Sequence, residues 1–286
     1  MSNDGTIFSR PITEIIRDRI SVRTYSNKAV TDDTVQKLDI FLKELTASQT
    51  AGLRLTSIAA STGMQGGASR LGTYGMIRGA SRFIAAVVEK SSNDLERLGY
   101  LFEKAVLYAT SMGLSTCWLG GSFNKGDFSK ALSIKENEEI PIVSPVGYAK
   151  EGRDIVGSLV RFSAGSANRK AWDEIFFSGS FEGKLSRRDA GDYGEALEMM
   201  RLAPSASNKQ PWRVVESDGK YHFYLRHTKG YGKMLGYDVQ RIDMGIAMCH
   251  FEMTASEMGL KGRWSRENPN ISGVPQDTDY IISWVI

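Results

Sequence analysis

The stretch from Leu98 to Trp118 recurs without a gap as Met244 to Trp264. Gly99 falls on Gly245, Ala109 on Ala255, Met112 on Met258, Gly113 on Gly259, Leu114 on Leu260 and Trp118 on Trp264, always at an offset of 146 residues. A repeat at that distance in a chain of 286 residues implies two copies of one unit. Both copies read as helices. In the first, Leu95, Leu98, Leu101, Phe102, Ala105, Val106, Ala109 and Met112 keep 3.6-residue spacing and leave Glu96 and Lys104 outside. In the second, Met244, Ile246, Met248, Cys249, Phe251 and Met253 make 242–258 apolar nearly all round, so that helix must be buried. Its methionines read as core gap fillers, and His250 as a satisfied core histidine.

The rest of the chain alternates between helical and extended patterns. Residues 32–45 and 193–202 read as helices, and Phe83 to Val88 as a buried strand because its apolar run is unbroken. Residues 212–216 and 221–226 predict a hairpin turning at Asp218-Gly219, and 280–286 a last strand. A 41% apolar fraction can fill a core of this size. No apolar run reaches membrane-spanning length, and Met1-Ser2-Asn3-Asp4-Gly5 lacks a signal-peptide apolar region, so a cytoplasmic protein without membrane partners is expected. The net charge of +3, with Lys and Arg interleaved among Asp and Glu, argues against nucleic acid as a partner. Two cysteines, Cys117 and Cys249, and three histidines scatter without ligand spacing, so no metal site is expected. Gly121 to Gly126 has the spacing of a phosphate loop, but Asp127 stands where it needs lysine.

Two segments carry the chemistry. Ala203-Pro204-Ser205-Ala206-Ser207-Asn208-Lys209-Gln210-Pro211-Trp212 joins turn formers to short polar arms. The prolines fix φ, while Ser205, Ser207, Asn208 and Gln210 could hydrogen-bond the edge of a planar heterocycle. A surface turn with an anchoring Trp is the other reading. Far upstream, Arg19-Ile20-Ser21-Val22-Arg23 follows a helix in which Ile12, Ile15, Ile16 and Ile20 recur. If the chain is extended there, Arg19, Ser21 and Arg23 share one side, and two guanidiniums flanking a hydroxyl suit a phosphate. The alternative is a solvated basic helix end.

Together these segments resemble the nitroreductase family of flavin enzymes. The family's Arg-x-Ser-x-Arg run is similar to Arg19, Ser21 and Arg23, and its Pro-Ser-x-x-Asn-x-Gln-Pro-Trp loop to Pro204, Ser205, Asn208, Gln210, Pro211 and Trp212. Gly113-Leu114-Ser115-Thr116-Cys117-Trp118-Leu119-Gly120-Gly121 and Val146-Gly147-Tyr148 resemble two further family runs. The two signature segments lie close together in the family but are separated by most of the chain here.

The resemblance implies an α+β fold, a three-layer α/β/α sandwich of nitroreductase type. Family members are homodimers that share each flavin, with the Arg/Ser run from one subunit and the Pro-Ser loop from the other. One chain holding the Arg/Ser run in its first half and the Pro-Ser loop in its second resembles two such halves fused into an intramolecular pseudo-dimer. The division falls at 1–178 and 179–286, and a monomer then suffices. The counterpart of the Pro-Ser loop, Thr46-Ala47-Ser48-Gln49-Thr50, lacks the prolines and the Trp, so one complete site per chain is expected.

The implied cofactor is FMN, reduced by NAD(P)H and reoxidised by a nitro compound, quinone or similar small acceptor in a ping-pong reaction. Because the flavin carries the chemistry, no side chain is expected as catalyst. The implied cofactor-binding residues are Arg19, Ser21, Arg23, Tyr74, Gly120, Gly121, Arg169, Pro204, Ser205, Ala206, Ser207, Asn208 and Gln210. Among them Gly120 or Gly121 would lie near the reactive ring nitrogen, where lack of a Cβ permits close approach. Another flavin reaction on the same scaffold, such as dehalogenation or flavin reduction, and a non-catalytic flavin-binding protein are the alternatives.

Overall fold

The computed structural model describes residues 8–47, 52–62, 69–91, 94–151, 168–231 and 235–286. It has a mixed α/β architecture in two compact units, Arg17–Ala164 and Met1–Ile16 with Gly165–Ile286. The sequence division at 178/179 therefore differs from the packing. Residues 176–178 form a strand paired in parallel with 214–216, which ties the segment before 179 to the C-terminal sheet. Helix α1 (Ile12–Asp18) has Ile12, Ile15 and Ile16 buried, and the Ile12 and Thr13 amides donate to the Glu257 carboxylate of the C-terminal unit.

In the unit Arg17–Ala164, helix α2 (Asp32–Ala47) packs on strand β1 (Leu53–Ala59). The short β2 (Ser61–Thr62) and β3 (Ser69–Arg70) pair with each other, ahead of β4 (Arg82–Glu89). Helix α3 (Leu95–Ser111), β5 (Ser115–Thr116), helix α4 (Lys125–Leu132), β6 (Glu138–Glu139) and β7 (Val143–Gly147) follow. The sheet runs β1-β4-β7-β5, with β6 also beside β4, and every pairing is antiparallel. Residues 83–88 of β4 are buried without alternation, as the unbroken apolar run predicts. Phe83, Ala85 and Val87 join Val22, Tyr25, Leu119, Phe123 and Phe128 in one core cluster. Helix α3 is buried more completely than its periodicity predicts. Glu96, expected outside, is 5% exposed, and Glu103 is fully buried.

In the other unit, β8 (Phe176–Ser178) precedes helix α5 (Gly194–Arg201), β9 (Trp212–Ser217) and β10 (Lys220–Arg226). The strands of that hairpin are joined through Asp218 and Gly219, both at positive φ (53° and 70°), which is the turn that the Asp-Gly pair predicts. Helix α6 (Val239–Glu257), β11 (Arg263–Ser265) and β12 (Thr278–Val285) complete the unit, and the sheet runs β11-β12-β10-β9-β8. Helix α6 is buried on almost every side, as expected, and His250 is a core residue whose Nδ1 lies 3.0 Å from the Met199 carbonyl. Phe251 anchors the core, its ring meeting those of Tyr193, Tyr221, Phe223, Trp264 and Trp284.

The repeated stretch has the same local form twice. Gly113 and Gly259 close α3 and α6 at φ of 76° and 73°. After each, the next amide reaches back to the helix, Leu114 to Ala109 at 3.0 Å and Leu260 to Ala255 at 2.9 Å. Among the described residues, no helix is long and apolar enough to cross a membrane.

Candidate functional site

Between helix α1 and residue 26 the chain becomes extended and is held on both edges. The Val22 amide donates to Thr116 O (2.9 Å) on β5, and Arg78 N donates to Arg23 O (2.8 Å). Gly79 makes the second approach possible, since a Cβ there would stand 2.5 Å from Tyr25 O. Val22 enters the core, so Ser21 and Arg23, alternating with it, turn away. Arg19, 8% exposed, sets its Nε 3.8 Å from Glu103 Oε1, while the Trp118 indole donates to the other carboxylate oxygen at 2.7 Å. Arg19 Nε and Nη1 and Arg23 Nε are buried and have no hydrogen-bond partner. A buried guanidinium with bare N–H groups is costly, and a multivalent anion such as phosphate would satisfy it.

The same unit brings further expected residues beside this run. Gly120 and Gly121 form the bend between the Leu119–Val143 bridge and α4, whose N-cap Asn124 accepts from Gly126 N and Asp127 N. Neither is among the left-handed glycines. Asn124 N donates to Gly72 O and Gly72 N to Asp127 Oδ2, which joins the bend to the loop carrying Tyr74. Tyr74 is 70% exposed and held at φ 47°, ahead of Gly75 at 75°.

In the other unit the 203–210 loop is built chiefly from its own side chains. Ser207, Asn208 and Gln210 all adopt positive φ (46°, 53° and 49°), a cluster of strained non-glycine residues. Ser205 Oγ accepts from Gln210 N at 2.8 Å, and Ser207 Oγ lies 2.9 Å from the Tyr231 hydroxyl. Asn208 Nδ2 and Gln210 Nε2 both donate to Asn168 O, and Gln210 Oε1 accepts from Lys170 N at 2.7 Å. Arg169 donates from Nη1 to Asn208 Oδ1 (2.9 Å) and from Nη2 to Leu202 O (3.0 Å). The arms expected to meet a ligand thus also brace the loop, and so does Arg169, another of the residues implied to bind the cofactor. Ala203 is fully buried, whereas Pro204, Ser205 and Ala206 are half-buried.

Three supporting residues escape a reading of the sequence. Glu103 holds Arg19. Arg213, 5% exposed, donates from Nη1 to Gln210 O and Trp212 O, and burial followed by the nearby Arg226 lowers its pKa to about 10. Asp243, 2% exposed, accepts the Ala206 amide at 2.9 Å. For Glu103 and Asp243 the local signal was a charge set among apolar neighbours on a helix, which is costly unless partnered.

The fold is that of the nitroreductases. The crystal structure of a putative nitroreductase from Thermotoga maritima has a TM-score of 0.56 at 18% identity, covering 96% of this chain and 94% of that one. Shorter structures also align. A nitroreductase family protein from Clostridium novyi gives 0.38 at 20% identity over 50% of this chain and 87% of its own. A nitroreductase with bound FMN from Desulfitobacterium hafniense gives 0.39 at 18% identity over 54% and 93%. No curated protein matches the chain. Residues 11–255 match the family described as "Putative TM nitroreductase", and the chain belongs to that family.

Proposed function

We propose that the chain is an FMN-dependent oxidoreductase that takes electrons from NAD(P)H and passes them to a small nitro compound, quinone or similar acceptor. The observation that carries the reading is the set of bare, buried nitrogens on Arg19 and Arg23, two arginines flanking a serine as the family's phosphate run does. In this reading Arg19, Ser21 and Arg23 grip the phosphate, and Gly120 and Gly121 give the ring room. Tyr74 borders the ring or its ribityl chain, and the Pro204–Gln210 loop, braced by Arg169, walls the ring through its backbone and shape.

Bound FMN would supply the hydride and electron transfer, each substrate using the same ring face in turn. The chain's own contribution is to bind, orient and exclude water. The strand orders β1-β4-β7-β5 and β9-β10-β12-β11 are the same pattern and support two fused nitroreductase halves, a pseudo-dimer of three-layer sandwiches with one complete site. Of the degenerate counterpart loop, Thr46 and Ala47 end α2, and residues 48–50 lie outside the described residues.

Replacing Arg19 and Arg23 together by Ala removes about 3 to 6 kcal/mol of phosphate contact, roughly a hundredfold to ten-thousandfold in FMN affinity. Titration of flavin-free protein reads this directly, and an unchanged dissociation constant removes both arginines from the site. Steady-state lines at varied NADPH and acceptor are expected to be parallel; intersecting lines contradict alternating use of one ring face.

A further inference from the structure

Asp243 lies near the start of α6 with only 2% of its surface exposed. One carboxyl oxygen accepts the Ala206 amide at 2.9 Å, and the other is buried with no hydrogen-bond partner. Ala206 opens the short run in which Ser207, Asn208 and Gln210 take left-handed backbone, so this bond fixes the loop where it departs from ordinary geometry. The repeat sharpens the point. Gly245 aligns on Gly99, which sets Asp243 on Arg97. The acid thus stands in the copy that carries the Pro-Ser loop, and a base in the copy whose counterpart loop lacks the prolines and the Trp.

We propose that Asp243 is a positioning residue, a latch that holds the 203–210 loop in the shape its flavin role requires; the role in binding rests on the functional reading above, the latch itself on the geometry. The latch works as an uncharged acid. An ionised carboxylate with one bare oxygen in a closed interior is costly, and hydrating it would mean opening the loop that covers it. Burial accordingly raises the Asp243 pKa well above the ordinary carboxylate range, against the smaller opposing pull of the Ala206 amide. Asp238, at the N-cap of the same helix, pushes it the same way. Tyr231, from the turn after β10, faces it with a hydroxyl pKa itself raised by burial. Lys209 in the loop lies over the Tyr231 ring, 5.5 Å from its centroid. Helix α5, packed on α6, brings Glu198, which Arg187 and Arg201 hold in ion pairs.

A carboxyl whose folded pKa is raised costs nothing below the ordinary carboxylate range. It costs progressively more as pH rises from there towards the raised value. The loop therefore loosens with rising pH.

The test is amide hydrogen exchange of the 203–211 segment in flavin-free protein, expressed as protection relative to intrinsic rates, together with FMN affinity, across a pH series. The parent is expected to lose protection and affinity as pH rises. Asp243→Asn keeps an acceptor for Ala206 without a titrating proton, and should hold both values flat. Asp243→Ala should lose about fivefold to tenfold in protection and affinity at every pH. Undiminished protection of Ala206 in Asp243→Ala, or the parent's pH dependence persisting in Asp243→Asn, overturns the latch. If Asp243→Ala does not fold, the flatness of Asp243→Asn decides alone. Should the parent take up no FMN while exchange behaves as expected, the flavin reading fails and the latch stands.

Discussion

Glu103 shows how much a single buried charge can hold. Fully buried on α3, it offers one oxygen to Arg19 and the other to the Trp118 indole, and so ties the arginine run to the strand that leads to Gly120. Removing the carboxylate strands a guanidinium that is itself 6% exposed. Glu103→Ala is therefore expected to cost about 3 to 5 kcal/mol of stability, the range found when one partner of a buried ion pair is lost. Urea unfolding measures it, and a loss within about 0.5 kcal/mol, typical of a surface substitution, would mean that Arg19 finds another partner or solvent. At this scale the sequence announces the residues that form motifs, because Arg19, Ser21, Arg23 and the Pro-Ser loop sit at characteristic spacings. It hides Glu103 and Asp243, whose partners lie 84 and 37 residues away in the chain. Local spacing holds no trace of where a buried charge finds its counterpart.

Elements read more easily than their supports. The unbroken run in β4, the Asp-Gly hairpin and the all-apolar α6 each follow from periodicity and turn chemistry; β4 and the hairpin strands end within a residue of the expected positions, and α6 starts three residues earlier, at Val239. The burial of Glu96 does not follow, since periodicity marks a polar face without saying whether another element will cover it. The ends of α3 and α6 offer a direct comparison of the two copies. Gly113 and Gly259 have almost the same positive φ, and in neither case would a Cβ meet any atom within 4 Å. Only the backbone conformation is at stake. Gly113→Ala and Gly259→Ala are thus each expected to cost about 1 kcal/mol. Similar losses in thermal unfolding support equivalent roles, whereas one neutral substitution would show that the two caps differ. The two copies also share an indole that donates to a helix carboxylate, Trp118 to Glu103 and Trp264 to Glu252, both at 2.7 Å. Glu252 lies three residues beyond the position aligned with Glu103, so an ungapped comparison of letters misses a contact that one helical turn preserves.

For the whole molecule, the repeat predicts two related units; the strand orders β1-β4-β7-β5 and β9-β10-β12-β11 follow one pattern, which supports the fusion proposed above. The division between them was less legible, because the apolar face of α1 says only that Ile12, Ile15 and Ile16 are buried, not against what. Their placement with the C-terminal unit is settled by packing at long sequence separation. The function proposed above has one chain binding one FMN, with Arg19 and Arg23 as its phosphate clamp. The most direct measurement is a titration of flavin-free protein with FMN, reading equivalents bound per chain. One equivalent is expected, abolished or greatly weakened by the Arg19→Ala/Arg23→Ala double substitution; two equivalents, or one that survives that substitution unchanged, would contradict the proposed site.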